Sequence, residues 1–139
     1  MRRIEPYNYY IGVYRGCGYS PMELRRKYPS ILVAAEAPRD SIVSMRHLIT
    51  VALHFLETLY IEKWIRNMDL RFLAFLFQET QIGKIVDKVD KAGDKVLIII
   101  SKEDVNIDCD EYGLLEAVDS DIDILGGIAV FRLMVEKER

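Results

Sequence analysis

Two histidines and a glutamate raise the first chemical question in this chain of 139 residues. His47 and His54 lie seven residues apart and Glu57 follows His54 by three, so on a helix all three share one face. A metal site or a general base could be built from such groups. The spacing argues against one ion held by both imidazoles, because two helical turns separate them by about 10 Å, whereas zinc takes its ligands at about 2 Å. The histidines therefore read as structural. "DSDID", 119–123, opens like a calcium loop, but Ile124 occupies the required glycine position and Val130 that of the closing glutamate. Turn and capping roles suit it better. Cys17 stands between two glycines and would need a neighbouring histidine or acid to become a nucleophile. Sequence places none beside it, and "GCG" reads more simply as a turn. Cys17 and Cys109 lack CxxC spacing, so reduced, partly buried thiols are expected, with a single disulfide open to a chain from a thermophilic source. Neither GxxxxGK[ST] nor GxGxxG occurs, which removes the common phosphate cradles. The expectation is a binding or regulatory protein rather than an enzyme, with no cofactor, metal or small-molecule substrate. Two alternatives stand beside it: a small hydrolase or transferase using Cys17 or a histidine, and a self-assembling domain that pairs through a free sheet edge or its C-terminal strand.

The elements that must position any site follow from pattern. "YNYYIGVYRG", 7–16, alternates as an aromatic-rich strand. Ser20 and Pro21, with Glu23 three residues after the cap, start a short helix that ends before Pro29. "ILVAAEA", 31–37, is a second strand. Asp40 or Ser41 caps a long helix running from Val43 to about Ile65 with a break near Tyr60, and Asn67 restarts a helix through "MDLRFLAFLF". Thr80 then caps a helix whose stripe Ile82, Ile85, Val86 and Val89 turns inward, with Gly93 as its left-handed end. "KVLIIIS", 95–101, is apolar at nearly every position, which suits a central strand covered on both faces. A short helix near "EYGLLEAV" and a last strand in "IAVFRLMVE" close the chain, with "LGGI", 125–128, breaking the structure between them. The implied class is α/β of the α+β kind: a single domain, 1–139, with a small mixed β-sheet and a block of helices packed on it.

Composition sets wider limits. Half the residues are apolar, yet the greasiest stretch, 41–61, is interrupted by Arg46, His47, His54 and Glu57, so no membrane span is expected. "MRRIEPYNYY" lacks the apolar core of a signal peptide, and a cytoplasmic location is the expectation. The net charge of -3 is unevenly spread. Residues 1–30 carry six basic groups against two acidic, a balance of +4, and residues 102–139 carry four against eleven, a balance of -7. Basic and acidic ends of this kind can meet a phosphate backbone and a basic protein respectively, or simply face solvent.

The run "RHLITVALHFLETLYIEKWIRNMDLRFLAFLFQETQIGKIVDKVDKAGDKVLIIIS" resembles the central segment of the kinase-binding small subunit of the KEOPS complex, a family related to the binding protein of the p53-related protein kinase. The matching features are Arg46 and His47 near the start of a helix, the Asn67–Phe77 helix, "TQI" at 80–82, Gly93, and the apolar strand 95–101. The likeness covers about the middle 60 residues. Where the family commonly carries a glutamate in the second helix this chain has Arg71, and "FLFQE", 75–79, replaces a small-residue and glycine turn.

The resemblance implies a non-catalytic subunit that docks on the small atypical kinase of KEOPS and supports threonylcarbamoylation of the tRNA adenosine beside the anticodon, with a role in holding the tRNA 3′ end. For kinase docking it directs attention to Phe131 and Leu133, then Phe72 and Phe75, because exposed aromatic and aliphatic groups supply most interface energy. For tRNA it directs attention to Arg46, His47, Arg66, Arg71 and Lys84, which could pair with phosphates.

Overall fold

The computed structural model describes residues 1–119 and 121–137, except for the side chains of 121 and 122. The strands are β1 (Arg2–Arg3), β2 (Tyr10–Arg15), β3 (Ile31–Pro38), β4 (Lys95–Ser101) and β5 (Asp110–Glu111); the helices are α1 (Pro21–Lys27), α2 (Met45–Glu57), α3 (Met68–Phe77), α4 (Ile82–Asp90) and α5 (Asp121–Lys137). The sheet order is β1-β2-β4-β3, with β5 also on β2, and every one of these pairings is antiparallel. The expected α+β domain, a small sheet carrying a block of helices, is what the chain forms, except that the sheet is antiparallel throughout and not mixed.

β4 lies in the middle, and its continuous apolar run has the anticipated cause. Val96, Ile98 and Ile100 enter the core beneath the helices, while Leu97 and Ile99 enter a second core on the other face. On β3, Ile31 and Ala34 share that second face although three residues apart, because a bulge between Ile31 and Val33 inserts one residue. α2, α3, α4 and α5 cover the first face. The second is covered by α1, through Leu24, and by a strap at 104–112. Ile107 packs inward from this strap, Tyr28 exchanges hydrogen bonds with Asn106 and Asp108, and the Tyr112 N–H donates to Val13.

A disulfide joins Cys17 to Cys109 across 92 residues of sequence and pins the strap. The expectation of free thiols is thereby corrected, in favour of the bridge that had been left open. On the same face Tyr14 lies over Gly12: a Cβ there would meet the tyrosine ring carbons at 2.7 Å. Burial, and then the charge of Glu111, push the Tyr14 phenol up to about 12.

The outer edge of β3 is blunted. The Arg39 N–H donates to Asp94, which fixes the register so that Ala35 and Ala37 bond to β4 while Ala34 and Glu36 face outward. The Asp69 carboxylate at the start of α3 accepts the Ala34 N–H at 2.9 Å and also pairs with Arg25, and Pro38 has no N–H to offer. Glu36 alone is left as an outward donor within this stretch, which counts against a second strand adding there.

Local capping explains most helix starts and two of the departures. Ser20 and Glu23 form the expected capping box, and Asn67 accepts the Leu70 N–H. α2, by contrast, is capped by Ser44, because 39–41 forms a separate 3-10 turn, and it ends at Glu57 instead of reaching Ile65. α4 has no side-chain cap from Thr80. The Glu79 carboxylate instead accepts the Thr80 and Gln81 N–H groups at 2.8 and 3.1 Å, which holds it below the usual carboxylate range. Only Ile85 of the expected α4 stripe is fully buried; Ile82 and Val86 are exposed, and α4 ends at Asp90, capped by Lys91 in the right-handed conformation and without a left-handed Gly93.

The largest departure is C-terminal. Residues 112–117 form no helix, and 128–136 is helix, not strand. Gly126 and Gly127 lie inside α5. Gly127 sits against the Gln78 side chain, where a Cβ would meet its Oε1 at 2.9 Å, and Gln78 itself takes the left-handed conformation that ends α3. The missing side chain lets α5 approach the end of α3.

Candidate docking surface

α5 is apolar on two sides. Ile128, Phe131 and Val135 recur at helical spacing and are buried against α2 and α3. On the opposite side Val130, Leu133 and Met134 are 60%, 59% and 52% exposed. Such a helix has one face more than its own domain can cover. Beside the exposed face lies a hollow of about 440 Å³ lined by Gln78, Glu79, Thr80, Gly126, Gly127, Val130, Phe131 and Met134. The ledge before α4 and the glycine pair of α5 thus frame a shallow apolar depression with a polar rim, which is the chemistry of a protein-docking surface.

Of the expected docking residues, Leu133 is on this surface. Phe72, Phe75 and Phe131 are corrections: all three are buried. The rings of Phe75 and Phe131 meet edge to face at 5.3 Å, Trp64 meets Phe75 at 5.6 Å, and Phe55 meets Phe72 at 5.7 Å. They hold the helices together. Val130 and Met134 are the exposed apolar residues of this face that the strand expectation hides. The signal that exposes them is the buried stripe at 128, 131 and 135, with the half-buried Ile124 one turn earlier, which leaves 130, 133 and 134 on the other side.

The five expected tRNA contacts divide in the same way. Arg71 is 1% exposed. Its Nε donates to the Ile65 carbonyl at 2.8 Å, Nη1 to Thr58 at 2.8 Å, and Nη2 to Ile61 and Trp64 at 2.5 and 3.1 Å, while the guanidinium lies over the Trp64 ring. It closes the irregular segment 58–66 and cannot reach a phosphate. Burial lowers its pKa from the ordinary arginine value. His47 is also buried, its Nδ1 accepting the Val43 N–H at 3.1 Å. Arg46, Arg66 and Lys84 are exposed, on α2, in the irregular segment 58–66 and on α4 respectively; Arg46 reaches the Val118 carbonyl, and Lys84 lies 4.0 Å from Glu79.

His54 and Glu57 take part in a link between helices. Arg132 of α5 pairs with Glu57 of α2 and, at 2.9 Å, with Glu136, and its Nη1 lies 3.4 Å from His54 Nδ1. Burial, followed by the Arg132 charge, lowers the His54 pKa. Cys17 is bonded to Cys109, so its sulfur has no thiolate to offer while the bridge stands. Among the described residues no group of three or more His, Cys, Asp and Glu side chains is placed to hold a metal ion. Of the 119–123 segment, residue 120 and the side chains of 121 and 122 lie outside the described residues. No helix among the described residues is long and apolar enough to cross a membrane.

A second hollow, about 620 Å³, lies between the 3-10 turn and the end of α4, lined by Arg39, Asp40, Phe77, Lys88, Lys91 and Asp94 among others. Its cations are largely engaged: Arg39 with Asp94, Lys91 with Asp87, and Lys88 over the Phe77 ring. The uneven charge of the chain is partly neutralised in a similar manner, basic N-terminal groups meeting acidic C-terminal ones at Arg2–Glu116 and Lys27–Asp108.

Comparison of the chain with protein-family models, with curated proteins and with solved structures gave no match.

Proposed function

We propose that this chain is a non-catalytic docking subunit, and that its partner is the small atypical kinase of a KEOPS-type complex acting in tRNA threonylcarbamoyladenosine formation. The observation that carries the docking part is the exposed apolar face of α5, with Val130, Leu133 and Met134 beside the Gln78–Thr80 ledge. The identity of the partner comes from the family resemblance of residues 46–101. The face is rigid because Phe131, one residue from Val130, is locked among Trp64 and Phe75, so little ordering is needed when a partner arrives.

The test is co-purification with the kinase subunit from the same source. Wild-type protein retains the kinase, and Leu133→Glu abolishes retention while the circular dichroism spectrum and melting temperature stay unchanged. Retention unaffected by both Leu133→Glu and Val130→Glu removes α5 as the docking face. Contact with the tRNA 3′ end is a further part of the reading, resting on the exposed Arg46, Arg66 and Lys84. It predicts affinity that falls steeply from low to physiological salt; a flat salt response rules out phosphate contacts.

A further inference from the structure

We propose that the exposed face of α5 also closes on a second copy of this chain, as an antiparallel helix pair centred on Val130. At about 100° per residue, 123, 126, 127, 130, 133, 134 and 137 fall within about one third of the helix circumference. Val130 lies near the middle of that arc. A two-fold axis through it sets residues equally far on either side of 130 against each other across the interface. Met134 then meets the Gly126 of the second copy, a position with open space where a side chain would be. Leu133 meets the Gln78 side chain that covers Gly127, Val130 meets itself, and at the ends Asp123 meets Lys137. A large group opposes a small one at 134 and 126, and an acid opposes a base, all from one sequence. Asp123 and Lys137 are both exposed, so the charges lie at the rim of the pair.

This pattern explains something that docking on an unrelated protein does not require, namely that bulk and charge along the exposed face are arranged antisymmetrically about its centre. The size of the contact sets its strength. Seventeen helical residues span about 25 Å, and one such face buries a few hundred Å² per copy, less than the roughly 800 Å² of a standard interface. The pair is therefore weak and reversible. Self-pairing stands on α5 alone. Its consequence, that a kinase must displace the second copy to use the same face, rests on the preceding reading.

The experiment is sedimentation velocity on the isolated protein from about 1 to 500 µM. The mass is expected to rise with concentration from 16.1 kDa towards twice that value. Val130→Asp holds it at the monomer with the fold intact by circular dichroism. Asp123→Lys and Lys137→Asp each weaken pairing by about threefold or more, and the double exchange restores it. Val130→Cys gives a covalent dimer on mild oxidation, because that residue meets its own copy. A monomer at every concentration overturns the proposal, as does a dimer that Val130→Asp leaves unchanged. A monomer that still captures the kinase overturns self-pairing and leaves docking standing. A Val130-dependent dimer that the kinase does not dissociate supports self-pairing and overturns docking through α5.

Discussion

Replacing Arg71 by methionine is expected to be the most damaging single change outside the apolar core. The guanidinium satisfies the carbonyls of Thr58, Ile61, Trp64 and Ile65 and is itself almost wholly buried. Methionine fills much of the same volume with no donor. Its bonds to Thr58 and Ile61 are fully buried, those to Trp64 and Ile65 only in part, so water can replace the latter pair. Two buried acceptors left unpaired cost about 1–3 kcal/mol each. Relief from burying the cation offsets part of that, and a net loss of about 3–4 kcal/mol is expected. For a domain of this size that lowers the melting temperature by about 10–15 °C. Arg71→Lys keeps one or two of the four bonds and should fall between. Thermal and urea unfolding measure the loss, and amide exchange should show the protection of 58–66 falling first. A methionine variant within about 1 kcal/mol of wild type would refute the argument, since it would mean that those carbonyls are already served by solvent.

Other outcomes follow from the same contacts. Reducing the Cys17–Cys109 bridge, or replacing both cysteines by serine, frees a loop of about 92 residues and should cost about 4.6 kcal/mol on the chain-entropy account, read as a lower urea midpoint under reductant. Gly12→Ala drives a methyl into the Tyr14 ring and should destabilise by about 1–3 kcal/mol; Gly12→Ala combined with Tyr14→Leu should recover part of that in the same unfolding assay. Because the His54 pKa is lowered in the fold from its ordinary 6.5, the unfolded chain binds the proton first as pH falls. Stability attributable to this group is therefore flat well above pH 6.5, declines below it, and levels off beneath the folded-state pKa. His54→Gln should remove that part of the decline when unfolding is compared at about pH 7.5 and 5.5.

What could be read from sequence was what short-range chemistry decides. The Ser20–Glu23 box and the Asn67 cap need only neighbouring residues, and a run such as "VLIII" has few stable places except a doubly covered strand. Arg71 was misassigned because a lone cation beside a run of phenylalanines says that it is either exposed or paired, and its partners are main-chain carbonyls that carry no sequence signature. The disulfide is hidden for a related reason, since spacing cannot show that the turn after β2 and the strap that carries Cys109 lie side by side.

The misreading of the C-terminus has a different origin, and it bears on function. "IAVFRLMVE" looked like a strand because apolar residues fill nearly every position, which conceals a period of 3.6. A helix that only had to cover its own core would have carried polar groups at 130, 133 and 134, and its periodicity would have been plain. The residues that spoil the pattern are the ones the fold leaves in solvent. They add nothing to the buried core, and apolar side chains held in water favour association. The same three substitutions that would make α5 legible as a surface helix, to glutamate, lysine or glutamine, should therefore leave the monomer as stable as before while removing its ability to associate. If they destabilise the isolated fold instead, the face is part of the domain's own packing, and the case for docking through it fails.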